Sequence, residues 1–269
     1  AGTFYNSTPA GNYAATTNGG SMYKSLAFLY AGKKLAKGSL SYLFLTDAFS
    51  SYRTDPATAA KVFDSSTWSR ATTGVYFNNS FNNLLLTASA YYQFGTNSAG
   101  QKVSAELLSV AAHCAFTKAF SAGSGVDFYS GGTSGTTSNA FDPLYGTPHK
   151  FAGLMDYFYA ANGFGKGGLV DYFIKSKYKA TDKVTLAADL HQFNSASEVS
   201  GFATKNLGQE IDLVGSYALT KQVGFEAGYA RYFTTPLLAS PAVKNVPDAK
   251  PSANWAYLMI NVKPEFFFK

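Results

Sequence analysis

The sequence predicts an all-β protein, a transmembrane antiparallel up-and-down β-barrel, and three observations predict it. Strand-length segments alternate apolar and polar residues along most of the 269 residues. Charged residues make up only 14% while aromatics reach 16%, with 23 Phe and 19 Tyr, whereas an ordinary soluble domain is about 25% charged. The connections between segments alternate short and long, as in a barrel with tight periplasmic turns and longer extracellular loops. No apolar run approaches the roughly 18 residues of a transmembrane helix. A chain of this composition in lipid therefore spans as strands, and such strands close into a barrel.

Residues 1–20 are rich in Gly, Ser, Thr and Asn and read as loop. A first strand is expected from Met22 to Tyr30 and a second from Ser39 to Asp47, where Leu40, Tyr42 and Phe44 share a face. The polar stretch 48–66 reads as a long connection, followed by strands Trp68 to Phe77 and Asn83 to Phe94. In the latter, Leu84, Leu86, Ala88, Ala90 and Tyr92 alternate with Leu85, Thr87, Ser89 and Tyr91. The segment Lys102 to Phe116 is apolar on both faces, so its outer side is not assigned. A turn near Ser121 to Ser124 precedes a short strand, Gly125 to Tyr129.

Beyond the long segment 130–168, Leu169 to Lys179 sets Val170, Tyr172, Ile174 and Tyr178 against Asp171, Phe173, Lys175 and Lys177. Strands Lys183 to Phe193, Asn206 to Leu219 and Val223 to Phe233 repeat the pattern. They place Asp189, His191, Glu210, Asp212 and Glu226 on their polar faces. A proline-containing loop, 234–252, leads to a last strand, Asn254 to Val262. That gives eleven strands, while bacterial single-chain barrels use even numbers. The chain is expected to form one domain over 1–269 that lacks N-terminal strands; a strand overlooked within 1–66 is the alternative.

With 22 basic and 16 acidic residues the net charge is +6. The basic residues are scattered, without the Lys/Arg-rich run of a nucleic-acid binder, so no nucleic-acid partner is expected. A mild positive excess suits an anionic solute or polymer. Cys114 is the only cysteine, which excludes an intrachain disulfide and a cysteine-based zinc site, and it reads as inert packing. His113, His149 and His191 show no metal spacing, and no cofactor is expected. An enzyme reading has only His191 near Ser216 to rest on. Trp68, Trp255 and Tyr257 read as interfacial girdle residues.

The segment 130–168 is the longest connection and reads as an extracellular or pore-constricting loop. Its part Asn139 to Gly168 holds Asp142, His149, Lys150, Asp156 and Lys166. His149 and Lys150 are candidates to bind a carboxylate at the pore mouth, with Asp142 and Asp156 as ion-pair partners. Lys175 and Lys177, two residues apart on one face, are candidates to draw an anion into a water-filled lumen. Arg70, Lys166, Asp171, Asp189, His191, Glu210, Asp212 and Glu226 complete the candidate pore lining. The competing reading is a structural salt-bridge network inside the barrel for Asp189, His191, Glu210, Asp212 and Glu226, a place near the periplasmic rim balancing Asp171 or other acidic neighbours for Lys175 and Lys177, and a purely structural loop for His149 and Lys150. Arg231, on the lipid-face parity near a strand end, is expected at the extracellular interface.

The stretches FDPLYGTPHKFAGLMDYFYA, GFGKGGLVDYFIKSKYKATDKVTLAADLHQF, MYKSLAFLYAGKKLAKGSLSYLFLTDAF and NWAYLMINVKPEFFF together cover most of the chain from Met22. They resemble the alginate-export family of outer-membrane porins, in its Bacteroidetes-like branch. The pattern PLYG-x-x-H-x-F-x-G-x-x-D-x-F is the most specific part. The resemblance implies a monomeric barrel of ~18 strands in the bacterial outer membrane. It also implies a lumen lined by basic side chains that passes an anionic uronate polymer. Three function classes follow. The first is a channel that conducts or exports an anionic solute such as an acidic polysaccharide. The second is a non-conducting accessory barrel bound to other outer-membrane complex subunits. The third is a soluble carbohydrate-binding β-protein.

Overall fold

The computed structural model describes residues 1–5, 23–143, 145, 151–159 and 164–264. Its strands are β1 (Gly2–Tyr5), β2 (Ser25–Leu35), β3 (Gly38–Thr54), β4 (Lys61–Phe81), β5 (Leu84–Thr96), β6 (Lys102–Ala115) and β7 (Phe120–Tyr129). After a short pair, β8 (Thr133–Ser134) and β9 (Thr137–Ser138), come β10 (Leu169–Lys179), β11 (Val184–Asn194), β12 (Asn206–Ala218), β13 (Val223–Thr234) and β14 (Ser252–Val262). Apart from β8 and β9, every strand is hydrogen-bonded to its sequence neighbour in one path from β1 to β14. All pairings along the path are antiparallel. The chain thus has the expected antiparallel up-and-down fold of the β-barrel type, and β1 and β14 are the two ends of the path. The single-turn helix α1 (Pro236–Ala239) is capped by Thr235, whose side chain accepts from the Leu238 amide.

The period-2 pattern decides the faces. On β10, Tyr172, Ile174 and Tyr178 are exposed, while Leu169 and Asp171 are buried. Leu186, Leu190, Leu213 and Tyr229 continue the exposed apolar face across β11, β12 and β13. Leu258, 76% exposed, extends it to β14. The opposite face carries the buried polar groups Asp47, Arg70, Gln93, Asp127, Asp171, His191, Glu210 and Asp212. An apolar face left exposed, with charges buried on the other, inverts the pattern of a sheet that packs its apolar side in water. It fits a wall with lipid outside. Register assigns β6 as well: Leu108 and Val110 point outward and Ser109 inward, where it meets Asp127.

Three expectations are corrected. Most of 48–66 is strand: only 55–60 separates β3 from β4, and Ser51 Oγ bonds the Ser66 carbonyl and hydroxyl across the ladder. A strand that rises beyond an apolar band has no need of apolar side chains, so its polar composition looked like loop. The turn set at 121–124 lies at 116–119 instead, where Thr117 Oγ1 accepts from the Ala119 and Phe120 amides. The small residues that suggested a turn, Gly123 and Gly125, face His113 and Phe173 on the inner surface. Trp255 and Tyr257 are not on the lipid side. They pair with Ala230 and Gly228, on the inner parity, and the Tyr257 ring lies where a Cβ at Gly228 would be. Trp68 has the parity of Arg70 and packs on Tyr52 at 5.0 Å. Strand β1 lies in the segment read as loop, within the 1–66 stretch where an overlooked strand was the alternative, and brings the path to twelve strands among the described residues.

Candidate constriction and cavity

The described parts of the 130–168 connection fold against the inner face, and two sets of anchors hold them there. The first is built on Asp47 and Arg70, a cross-strand pair of β3 and β4. Arg70 Nε and Nη2 donate to the two oxygens of Asp47 at 3.2 and 2.8 Å, a bidentate pair with both side chains buried. Arg70 Nη1 then reaches Asp142 of the loop at 2.9 Å. Gln93 on β5 clasps the same loop residue from the other side: its Nε2 donates to the Asp142 carbonyl and its Oε1 accepts from the Asp142 amide. The Tyr145 hydroxyl donates to Asp47 Oδ2 at 2.9 Å. Burial, then the neighbouring Asp47 carboxylate, pushes the Tyr145 phenol above the ordinary tyrosine range.

The second anchor lies far along the path, on β12. The Leu154 amide donates to Asp212 Oδ2 at 3.2 Å and the Met155 amide to Glu210 Oε1 at 2.7 Å. The turn that presents these amides passes through Gly153 at φ +87°, and a Cβ there would stand 2.6 Å from the Glu210 carboxyl group. Only glycine permits both the conformation and the approach. Aromatic packing completes the anchor: Tyr157 stacks on Tyr232 at 4.0 Å and Phe158 meets Phe193 at 4.8 Å. Phe141 and Phe164 both pack on Tyr129. The apolar core of the molecule is therefore the seam between loop and inner wall.

Beneath the loop, toward the tight-turn end, is a cavity of about 670 Å³. Its wall includes Asp127, Asp171, Phe173, Lys175 and His191, and the loop residues Phe141, Asp142, Tyr145, Phe151 and Ala152 roof it. His191 Nδ1 donates to both oxygens of Asp171, at 2.9 and 2.8 Å, and Ser109 Oγ donates to Asp127 at 2.5 Å.

The expected site residues fall as follows. Lys175 points inward and pairs with Asp189 on β11 at 3.3 Å; Lys177 has the same parity and is exposed. Arg70, Asp171, His191, Glu210 and Asp212 are inner-face residues gathered around the loop and cavity. Glu226 lies apart, accepting from Tyr257 at 2.6 Å and from Ser216 at 3.3 Å. Ser216 is thus on Glu226 and His191 on Asp171, so the suggested Ser216–His191 pair does not form. Lys166 is exposed on the loop, and its carbonyl accepts from the Gly132 amide. Arg231 is exposed on the outer parity and bonds Ser252. Cys114 lies on the outer parity and accepts from Asn83. His149 and Lys150 lie outside the described residues; Asp142, expected as their partner, is on Arg70.

The sequence reading missed Asp47, Gln93, Asp127 and Tyr145. Asp47 and Gln93 have inward parity in segments that read as strand, which is a usable signal. Tyr145 has none, because its role depends on a contact with a residue 98 positions away.

No family model matches the chain, and no curated protein matches it. Among solved structures, the chain is similar to the NanC porin in a rhombohedral crystal form, at 11% identity and TM-score 0.44 over 89% of this chain and 93% of that one. It is also similar to OccK11 (OpdR) of Pseudomonas aeruginosa, at 14% identity and TM-score 0.47 over 98% and 76%.

Proposed function

We propose that this chain forms the wall and the constriction of a bacterial outer-membrane channel for small polar solutes, with membrane lipid against its apolar face. One observation carries the reading. A single connection is bonded from two distant parts of the inner face, Arg70 on β4 and Glu210 on β12, and so lies across the space the wall encloses. A loop held this way narrows a lumen, and a cavity of about 670 Å³ lies beneath it.

The sign of the solute is set by the inner face and not by the overall +6. Lys175 and Lys177 are the cations expected to draw an anion, as the resemblance to alginate-export porins would have it. Lys175 is already on Asp189, however, and Asp127, Asp142 and Asp171 line the cavity. Among the described residues, the anionic preference rests on the exposed parts of Lys175 and Lys177 in the wall and on Lys166 in the loop. The density of loop anchors favours a second reading, an accessory barrel whose lumen the loop plugs.

Swelling of liposomes that contain the full-length protein tests the channel. Uncharged sugars of increasing size are expected to enter up to a sharp limit near that of a monosaccharide or disaccharide. No swelling with any sugar, from protein shown to be folded, would favour the plug.

A further inference from the structure

We propose that the cavity beneath the loop binds an organic cation, a small solute with an ammonium or guanidinium group on an apolar body. The inference relies on the channel reading only for the route by which such a solute arrives.

Asp127 on β7 and Asp171 on β10 are directly opposite each other in the ladder, and both line the cavity. Like charges directly opposite destabilise a sheet, and burial in the wall makes the pair costlier still. Asp127 receives one bond, from the Ser109 hydroxyl. Among the described residues neither carboxylate is ion-paired to a Lys or Arg: Arg70 is taken by Asp47 and Asp142, and Lys175 by Asp189.

A second observation is independent of the carboxylates. His191 lines the same cavity, is 3% exposed, and its Nε2 has no partner among the described residues. With Nδ1–H given to Asp171, the neutral ring presents a lone pair at Nε2, an acceptor that calls for an N–H donor. The remaining wall supplies ring faces: Phe173, Tyr91, Tyr129 and Phe141. Carboxylates, an unfilled imidazole acceptor and aromatic faces together are the chemistry that recognises an ammonium or guanidinium carried on an apolar body. Among the described lining residues, a carboxylate solute would meet Asp127, Asp142 and Asp171 with Lys175 as the one Lys or Arg in its favour. The volume lies within the range of small-molecule sites, about 300–1,000 Å³.

The test is isothermal titration calorimetry on the full chain refolded in detergent micelles, with 2-phenylethylammonium and the size-matched anion 3-phenylpropionate as probes. The ammonium is expected to bind and the carboxylate not to. Asp127→Asn should weaken the ammonium by about tenfold, while Asp182→Asn, in an exposed turn, should leave it unchanged. Equal or tighter binding of the carboxylate, no ammonium binding, or an unaffected Asp127→Asn would each overturn the proposal. If Asp127→Asn does not fold, the preference between the two probes on the unaltered protein decides alone. Binding without conductance would defeat the channel and leave the site; conductance without binding would do the reverse.

Discussion

Arg70 shows at residue scale how this chain uses charge. Its guanidinium is buried, bonded twice to Asp47 and once to Asp142. Removing one partner of a buried ion pair leaves the other desolvated and uncompensated, at a cost of about 3–5 kcal/mol. Arg70→Ala should therefore destabilise the fold by about that amount in denaturant unfolding from micelles. Arg70→Lys should recover only part, since an ammonium cannot reproduce the fork that meets Asp47 while holding Asp142. A loss under about 1 kcal/mol, the value of an exposed pair, would contradict the anchor. Parity alone made Arg70 legible as an inward residue. Its partner in the loop was not legible, because a separation of 72 positions leaves no local pattern.

At the scale of elements, the strands and their faces could be read from the sequence and the loop's path could not. Side chains alternate with period 2 against a lipid-facing and an inward face, so Leu84 to Tyr92 and Val170 to Tyr178 announced their sides. The signal failed where that contrast was absent. Gly123 and Gly125 are small because rings pack over them, and the first third of β4 carries the polar run Asp64 to Thr67 with no period-2 contrast. Trp255 and Tyr257 are amphipathic enough to suit either face. The loop's fit to the wall makes a pH prediction. Tyr145 donates to Asp47 and its phenol is raised above the ordinary value by burial and that carboxylate. A raised folded-state value means that the stabilisation is complete below the unfolded tyrosine value, about 10. It is lost as pH climbs from there toward the folded value. Proteolysis of the 130–168 segment should thus accelerate above about pH 10, and Tyr145→Phe should show fast cleavage already at neutral pH with little further rise. A variant that keeps the alkaline step would assign it to another group.

For the whole molecule, the central claim is that a twelve-strand path presents an apolar face to lipid and carries its own constriction on the inside. Exposed Leu, Ile and Tyr side chains across successive outer faces require detergent or a bilayer, while inward charges require water or one another. The Lys175–Asp189 and Arg70–Asp47 pairs show the second condition met within the wall. The most direct measurement is single-channel conductance of the full-length protein in a planar bilayer, beside a variant in which residues 146–159 are replaced by a short Gly-Ser linker. The account predicts discrete steps for the intact protein and severalfold larger steps for the variant, because the Leu154 and Met155 amides held by Asp212 and Glu210 would be gone and chain anchored at Arg70 would no longer be bonded across the lumen to β12. Equal steps from both proteins, or none from the folded variant, would contradict it.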